Sequence, residues 1–394
     1  MSSGHLRLHV PMRARTDDAS HRVATPFELL FDLIFVVAVA SLVSELSHAT
    51  VAGHLTDAVV PFLFVFFAIW WAWMNFTWFS SGYDPGDVLY RVLGVVQMAG
   101  VLVLAAGVPA AFERFDFTAV TIGYLVMRIG LVGLWVRAAV EHPETRAVSL
   151  RYVAGIVFGQ VLWVLRLVLF PDFYPLVVFL VLALVEVSVP VWANRAGRDP
   201  WHPGHIAERY GLFVIILLGE GVLAATNGVR ASLEASGVTA GLVVVGIAGL
   251  VILVGLWWVY FLHPAGEGLA MHRGRSFLWG YGHYALFACV AAVGAGLEVA
   301  VEVAGHHTDV PPMLAGTVVA APVAAVLVLT WALHRPLVER SEVPGAAVLV
   351  GAVLIVAAGL ATPVIGLPAA IAAIALLTAG IIGATLIPVR VGLG

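Results

Sequence analysis

TPFELLFDLIFVVAVASL, residues 25–42, has the composition of a membrane helix, yet an acidic residue lies inside it. Asp32 interrupts a run of Phe, Leu, Ile and Val that belongs in the hydrocarbon of a bilayer. A charged side chain at the bilayer centre costs about 2.5–3.5 kcal/mol on insertion scales, so such residues normally face the protein interior. We therefore expect Asp32 to face a polar cavity or a partner inside a helix bundle.

The composition of the whole chain is that of a polytopic membrane protein. Hydrophobic residues make up 61% of the 394 residues, charged residues 11%, and the mean hydropathy is +1.00. These values exclude an ordinary soluble domain. The net charge of −4 and the lack of a dense basic cluster argue against a nucleic-acid partner. The single Cys289 and the spacing of the histidines support neither a disulfide nor a metal site, and no cofactor is predicted.

Apolar runs long enough to cross a bilayer recur along the chain. A helix needs about 20 apolar residues to do so. The hydropathy pattern predicts twelve spans, near residues 27–46, 58–79, 88–110, 118–140, 150–170, 174–193, 206–226, 238–261, 277–300, 313–333, 345–361 and 364–388. The predicted fold is therefore an all-α transmembrane helix bundle.

The arginines orient these spans. With a cytoplasmic N-terminus, the outer loops hold only Arg114 and Arg230, and the other loop arginines lie on the inner side. Positive charge in short loops marks the cytoplasmic side. Both termini are therefore predicted to be cytoplasmic.

The longest polar stretch between spans suggests a division into two parallel six-helix halves. The predicted segments are a tail at 1–24, a first half at 25–193, a linker at 194–204 and a second half at 205–394. A faint repeat supports the division, because Glu28 at the head of the first span is echoed by Glu208 at the head of the seventh. Six spans per half give both halves the same orientation.

Several spans carry polar side chains that lipid should exclude. Glu28 has a structural explanation, because Thr25, Pro26 and Glu28 form a capping-box pattern. Asp32 lies one turn deeper on the same face and has no such explanation. The other intramembrane candidates are Arg128, Arg166, Glu186, Glu220 and His283.

Two interpretations of these charged side chains stay open: they form structural ion pairs, or an unbalanced acid among them has a functional role. Arg128 and Arg166 can neutralise Asp32, Glu186 and Glu220 as structural ion pairs. Three acids against two arginines leave one acid unbalanced, and we expect it to be the acid farther from either arginine.

His283 is expected to be hydrogen-bonded between helices. Aromatic residues in the middle of the second span could line a cavity and offer their faces to a cation: Trp70, Trp71 and Trp73.

TPFELLFDLIFV and HIAERYGLFVIILLGEGVLA, residues 205–224, resemble the two hallmark segments of the bacterial low temperature requirement A (LtrA) proteins. The resemblance covers nearly the whole chain. It implies a polytopic membrane protein and supplies no mechanism. Carried over residue by residue, the family pattern marks five candidate site residues: Glu28, Asp32, Glu208, Arg209 and Glu220.

Three functions remain compatible with the sequence. The leading hypothesis is a secondary transporter with a protonatable carboxylate pair, Asp32 and Glu220, in which Arg128 and Arg166 hold an anionic substrate group or balance the acids. The alternatives are a membrane-embedded enzyme that protonates a lipidic or isoprenoid substrate, and a sensor or assembly factor without turnover. The expected partners are the lipid bilayer, a small-molecule or lipidic substrate and a second copy of the chain.

Overall fold

The computed structural model describes residues 7–14, 23–170, 176–197, 200–263, 265–305, 308–338 and 343–385. In these ranges all regular secondary structure is helical. The twelve long helices are α1 (Pro26–Val51), α2 (Leu55–Gly82), α3 (Val88–Ala106), α4 (Thr118–Glu141), α5 (Arg146–Leu169), α6 (Leu176–Ala193), α7 (Pro203–Ser236), α8 (Ala240–Phe261), α9 (Ser276–Ala304), α10 (Pro312–His334), α11 (Gly345–Leu360) and α12 (Leu367–Thr385). Parts of the predicted tail and linker, residues 1–6, 15–22, 198 and 199, lie outside the described residues.

Eleven of these helices are long and apolar enough to cross a membrane, namely α1–α10 and α12. The predicted class of all-helical membrane protein is thereby confirmed. Helix α11 has 16 residues, which corresponds to a length of about 24 Å against a hydrocarbon core of about 30 Å. The twelfth span therefore stays a prediction.

Helix α7 is longer than the predicted span at 206–226. It continues to Ser236 and is followed by Gly237 at φ +75°. Hydropathy falls at Thr226 and Asn227, but no proline or glycine at positive φ interrupts the backbone hydrogen bonds before Gly237. Glycine adopts this left-handed conformation without steric cost and commonly ends helices. The hydropathy pattern predicted only the apolar part of the helix, whereas the helix ends where Gly237 adopts a positive φ.

The chain forms two compact units. Unit 1 comprises Met1–Leu42 and Val60–Arg209. It contains the first part of α1, most of α2, helices α3–α6 and the beginning of α7. Within it α3 packs against α4, α4 against α5, and α5 against α6. Aromatic stacking fills its core, with ring centroids of Phe31 and Phe76 3.8 Å apart.

Unit 2 comprises Val43–Val59 and Tyr210–Gly394. It contains the end of α1, the beginning of α2, the rest of α7 and helices α8–α12. Within it α9 packs against α10, α10 against α11, and α8 against α12. The expected equivalence of two six-helix halves, with boundaries at 25–193 and 205–394, stays a prediction.

Glycine allows α3 and α4 to touch through their backbones in unit 1. A Cβ atom on Gly123 would lie 2.6 Å from the carbonyl oxygen of Gly100 and would also meet the amide nitrogen of Leu104. Small residues permit this close approach in membrane helix pairs, where dispersion contacts replace the hydrophobic effect as the source of association. The contact accounts for the close packing of this helix pair.

We expect Gly123→Ala to destabilise the protein by about 1–3 kcal/mol, because the added methyl group separates two packed backbones. The measurement is reversible unfolding of purified protein in mixed micelles. Gly246→Ala in α8 is the matched control, since nothing lies within 4 Å of the Cβ position there. Equal stability of the two variants would contradict the backbone contact.

Candidate functional site

Asp32 lies in a buried polar cluster of unit 1 that we name the Arg209 cluster, comprising Glu28, Asp32, Trp73, Ser80, His205 and Arg209. The guanidinium of Arg209 donates from Nε to Asp32 Oδ2 at 2.9 Å and from Nη2 to Oδ1 at 2.5 Å. The indole of Trp73 donates to the same Oδ1 at 2.7 Å. Asp32 is 1% exposed, so this carboxylate is fully enclosed and satisfied by protein donors. The expectation that Asp32 has an interior partner is confirmed.

The partner corrects the predicted pairing. Arg128 and Arg166 were expected to neutralise Asp32, but Arg209 does so. Sequence reasoning placed Arg209 with the cytoplasmic charges because it lies two turns from the start of α7. The first turns of this helix are nevertheless buried in unit 1, where Arg209 is 0% exposed.

Glu28 has two roles in this cluster. The predicted capping box is confirmed, because the Thr25 amide donates to Glu28 Oε2 at 2.8 Å and the Glu28 amide donates to Thr25 Oγ1 at 3.3 Å. The other oxygen, Oε1, lies 3.2 Å from Arg209 Nη1 and 3.2 Å from His205 Nε2. Glu28 and Asp32 therefore share one guanidinium, and the imidazole of His205 lies beside Glu28.

Glu208 ties the segment before α1 to the beginning of α7. Both of its carboxylate oxygens lie 3.2 Å from the amide nitrogen of Ala24, which donates to them. The first turns of α7 therefore contact the start of α1 through side chains at positions 205, 208 and 209. The two sequence segments that carry the family resemblance meet at this point.

A second cluster of unit 1, the Glu186 cluster, comprises Trp71, Tyr124, Arg128, Gln160 and Glu186. Gln160 donates to Glu186 Oε1 at 2.7 Å and Trp71 donates to Oε2 at 3.0 Å. Arg128 Nη2 lies 3.8 Å from the same Oε2, and its other contact is the Tyr124 hydroxyl. All five side chains are buried. The expected neutralisation of Glu186 by Arg128 is confirmed.

Two of the three central tryptophans of α2 act as hydrogen-bond donors. Trp71 and Trp73 direct their indole N–H groups to Glu186 and Asp32, and Trp70 packs against Trp71 with ring centroids 5.4 Å apart. All three are at most 2% exposed. These contacts account for tryptophan in the middle of a span without the proposed contact between ring faces and a bound cation.

Arg166 lies near the C-terminal end of α5 and is buried. Its positive charge acts on Asp116 in the loop that precedes α4. The pKa of Asp116 is lowered chiefly by hydrogen bonds from Thr118, with smaller contributions from Arg114 and Arg166. The predicted pairing of Arg166 with an intramembrane acid stays a prediction.

Glu220 lies in unit 2, together with an acid that the sequence analysis missed. Glu298 on α9 is close enough to Glu220 on α7 for their charges to interact. The two are 5% and 8% exposed. Glu298 lies inside the predicted span at 277–300, close to its end, but it was not singled out among the intramembrane candidates. The signal that could have found it is its spacing from Glu302, one helical turn away on the same face.

No salt bridge to Glu220 or Glu298 occurs among the described residues, and Glu220 Oε2 is buried there without a hydrogen-bond partner. We name these two residues the Glu220 pair. Among the acids that the sequence analysis proposed inside the membrane, Glu220 is the one that has no basic partner in the described structure. The rule that the unbalanced acid lies farthest from an arginine therefore selects Glu220.

His283 of unit 2 is hydrogen-bonded between helices, as expected. Its Nδ1 lies 2.7 Å from the carbonyl oxygen of Trp279 and its Nε2 lies 3.1 Å from the hydroxyl of Tyr260 on α8. Because a carbonyl only accepts, Nδ1 carries the proton and Tyr260 donates to Nε2. The ring is thus satisfied on both sides.

A further polar network lies at the cytoplasm-facing ends predicted for α3 and α4. Asp87, the N-cap of α3, accepts from Tyr90 N at 3.0 Å, from Val10 N at 2.8 Å and from Arg137 Nη1 at 2.8 Å. Burial opposes ionisation of Asp87, but these hydrogen bonds outweigh it and lower its pKa to about 2. Met12 N donates to Glu141 at 2.6 Å. The segment 7–14 is therefore fastened to unit 1 by charged acceptors.

Comparison with known proteins agrees with this geometry. The sequence profile of the bacterial low temperature requirement A protein (LtrA) matches residues 23–380. The chain belongs to the LtrA family. An uncharacterized protein of Rhizobium meliloti (strain 1021) is 29% identical over 262 residues, which are 63% of this chain and 60% of that protein. The predicted membership of the LtrA family is thereby confirmed.

We expect Arg209→Met to destabilise this LtrA protein by about 3–5 kcal/mol, because it leaves Glu28 and Asp32 buried without their guanidinium. Asp32→Asn should cost less, since Arg209 keeps Glu28. The measurement is unfolding in mixed micelles, with exposed Arg230→Met as control.

The triple variant Glu28→Gln, Asp32→Asn, Arg209→Met should recover much of the lost stability, because neutral residues replace the whole buried ion cluster. If Arg209→Met were as stable as Arg230→Met, the cluster would not contribute to the fold as described.

We expect segment 7–14 to detach as the pH falls from about 4 to about 2. An aspartate whose folded pKa lies below its unfolded value of about 3.9 stabilises the folded state fully above that value and loses the contribution below it. A nitroxide label on Leu8→Cys, in a Cys289→Ala background, should become more mobile over this range.

Asp87→Asn should mobilise the label already at neutral pH, whereas Asp57→Asn should not, because Asp57 is 82% exposed. A label that is equally immobile in Asp87→Asn and the parent would show that Asp87 does not hold the segment.

Proposed function

We propose that the protein is a secondary transporter whose coupling proton binds the Glu220 pair inside unit 2. The observation that carries the proposal is the buried Glu220 carboxyl, which interacts electrostatically with another acid, Glu298, and has no basic group within salt-bridge distance in the described structure. A carboxylate buried in that way is costly, and the neutral form removes most of the cost. A carboxyl group that must hold a proton when buried can release it when water reaches it.

The distribution of charge supports this assignment over Asp32. The Arg209 cluster fixes Asp32 with two hydrogen bonds from Arg209 and one from Trp73. Removing that carboxylate from its partners would expose a buried guanidinium. Asp32 is therefore assigned the role of an anchor, and the originally expected sharing of a proton between Asp32 and Glu220 gives way to sharing within the Glu220 pair.

The packing around the Glu220 pair is suited to small helix movements. A Cβ atom on Gly294 would lie 3.0 Å from the Cα atom of Gly221, so α7 and α9 approach closely beside Glu220. Glu298 follows Gly294 by four residues and projects from the same face of α9. A glycine contact has no interdigitated side chains to disengage, so sliding of the two helices would change the exposure of both carboxyl groups.

The proposal places the protein in the inner membrane of a bacterium with both termini in the cytoplasm. The scarcity of arginine in the expected outer loops supports this orientation. The substrate is a small molecule taken up or released with the proton. Labelling of single cysteines introduced beside Arg114 and Arg195 should occur from outside and inside, respectively.

We expect Glu220 to hold its proton at neutral pH in the resting protein. Infrared spectra of the protein in lipid should show the carbonyl stretch of a neutral carboxyl group, and Glu220→Gln should reduce it. Glu298→Gln should alter the same band, because the two carboxyl groups interact. Glu234→Gln is the matched control, since Glu234 lies on the same helix but is exposed.

In proteoliposomes with an imposed pH gradient, the parent should accumulate a member of a panel of labelled amino acids, organic acids and sugars, and Glu220→Gln should abolish the gradient dependence. An unchanged carboxyl band in Glu220→Gln, or full gradient-driven uptake by that variant, would contradict the proposed proton site.

A further inference from the structure

A groove runs along the lipid-facing side of unit 1 between α4 and α5. Its volume is about 430 Å³, within the range of small-molecule sites. Aliphatic side chains of both helices line it, among them Leu125, Ile129, Val157 and Val161. Ile129 is 59% exposed, so the groove opens sideways toward the acyl chains and not toward water. An apolar molecule can therefore enter it from the bilayer.

Two polar residues interrupt this apolar lining, Arg128 and Gln160. Both belong to the Glu186 cluster, which lies behind the groove. Arg128 is 1% exposed, and its Nε–H is buried without a hydrogen-bond partner in the described structure. A buried donor without an acceptor costs about 1–3 kcal/mol, so a ligand that supplied an acceptor would regain it.

The depth of Arg128 restricts which membrane molecules can supply that acceptor. Arg128 is ten residues from the first residue of α4, or about 15 Å along the helix axis, which places it near the middle of a core about 30 Å thick. The ester and phosphate groups of phospholipids lie at the interface, so only their hydrocarbon tails reach this depth. The acceptor must belong to a molecule that dissolves entirely in the hydrocarbon.

The charge of the site favours an uncharged ligand. Arg128 lies 3.8 Å from Glu186, so its positive charge is already balanced. A carboxylate or phosphate in the groove would add an unpaired negative charge at low dielectric. A carbonyl oxygen accepts a hydrogen bond without adding charge.

We propose that the groove between α4 and α5 binds a lipid-soluble quinone, with a ring carbonyl directed to Arg128 and Gln160 and the isoprenoid chain along the aliphatic wall. A quinone combines a neutral acceptor, a flat apolar ring and a tail that keeps the whole molecule inside the hydrocarbon. The site is independent of the Glu220 pair, which belongs to unit 2.

The test is photolabelling of the full chain in nanodiscs with a radiolabelled azido-decylbenzoquinone, followed by peptide mapping. The label should map to α4 and α5. Excess decylubiquinone should displace it, and decylbenzene, which has the same chain without a carbonyl, should not.

Ile129→Trp should reduce the specific labelling about tenfold, because the indole fills the groove from its exposed side without touching the Glu186 cluster. Ile122→Trp is the matched control, since Ile122 lies on the same helix, is 45% exposed and does not line the groove. Arg128→Lys keeps the positive charge beside Glu186 but removes the guanidinium, and it should reduce the advantage of decylubiquinone over decylbenzene.

Three results would overturn the proposal. The first is equal competition by decylubiquinone and decylbenzene, which would show occupancy by hydrocarbon chains alone. The second is equal labelling of Ile129→Trp and Ile122→Trp. The third is a label that maps outside α4 and α5. Labelling that persists unchanged in Glu220→Gln would agree with the independence of the two sites.

Discussion

A charged side chain buried in a membrane protein must be neutralised within a few ångströms, and this constraint organises unit 1. Asp32 and Glu28 on α1 are matched by Arg209 at the beginning of α7, and Trp73 on α2 supplies the remaining donor. Three helices are thereby fixed at one point by chemistry that tolerates little displacement. The apolar surfaces of these helices could pack in many registers, but the ion cluster is compatible with few of them.

The same constraint explains why the intramembrane acids differ in their roles. Glu186 receives two neutral donors and a nearby guanidinium, so it is as well satisfied as Asp32. Glu220 and Glu298 are held in unit 2 beside each other. Two clusters are therefore suited to stability, and the third is the one for which we propose a change of protonation. A protein that needed only stability would gain by replacing the Glu220 pair with apolar residues.

Local patterns predicted the helices, because the length of an apolar run and the capping box of Thr25 and Glu28 depend only on neighbouring residues. They could not predict that Asp32 pairs with Arg209, since the two are 177 positions apart and the pairing depends on how helices pack. Glu298 was missed for a related reason, because its proximity to Glu220 on α7 depends on how the helices pack. The tryptophans of α2 were recognised as unusual, but the direction of an indole N–H is a property of the packed structure.

The separation of Asp32 and Arg209 along the chain has a consequence for synthesis. At about 5–20 residues per second, the ribosome needs roughly 10–35 s to make the 177 positions between them. Helix α1 therefore enters the membrane with two acids whose counter-charge does not yet exist. Until Arg209 emerges, the nascent chain must be sheltered by the insertion machinery, or its carboxyl groups must stay protonated. Assembly of unit 1 is thus completed late, and a ribosome that stalls before residue 209 leaves an inserted chain whose two acids on α1 lack their guanidinium.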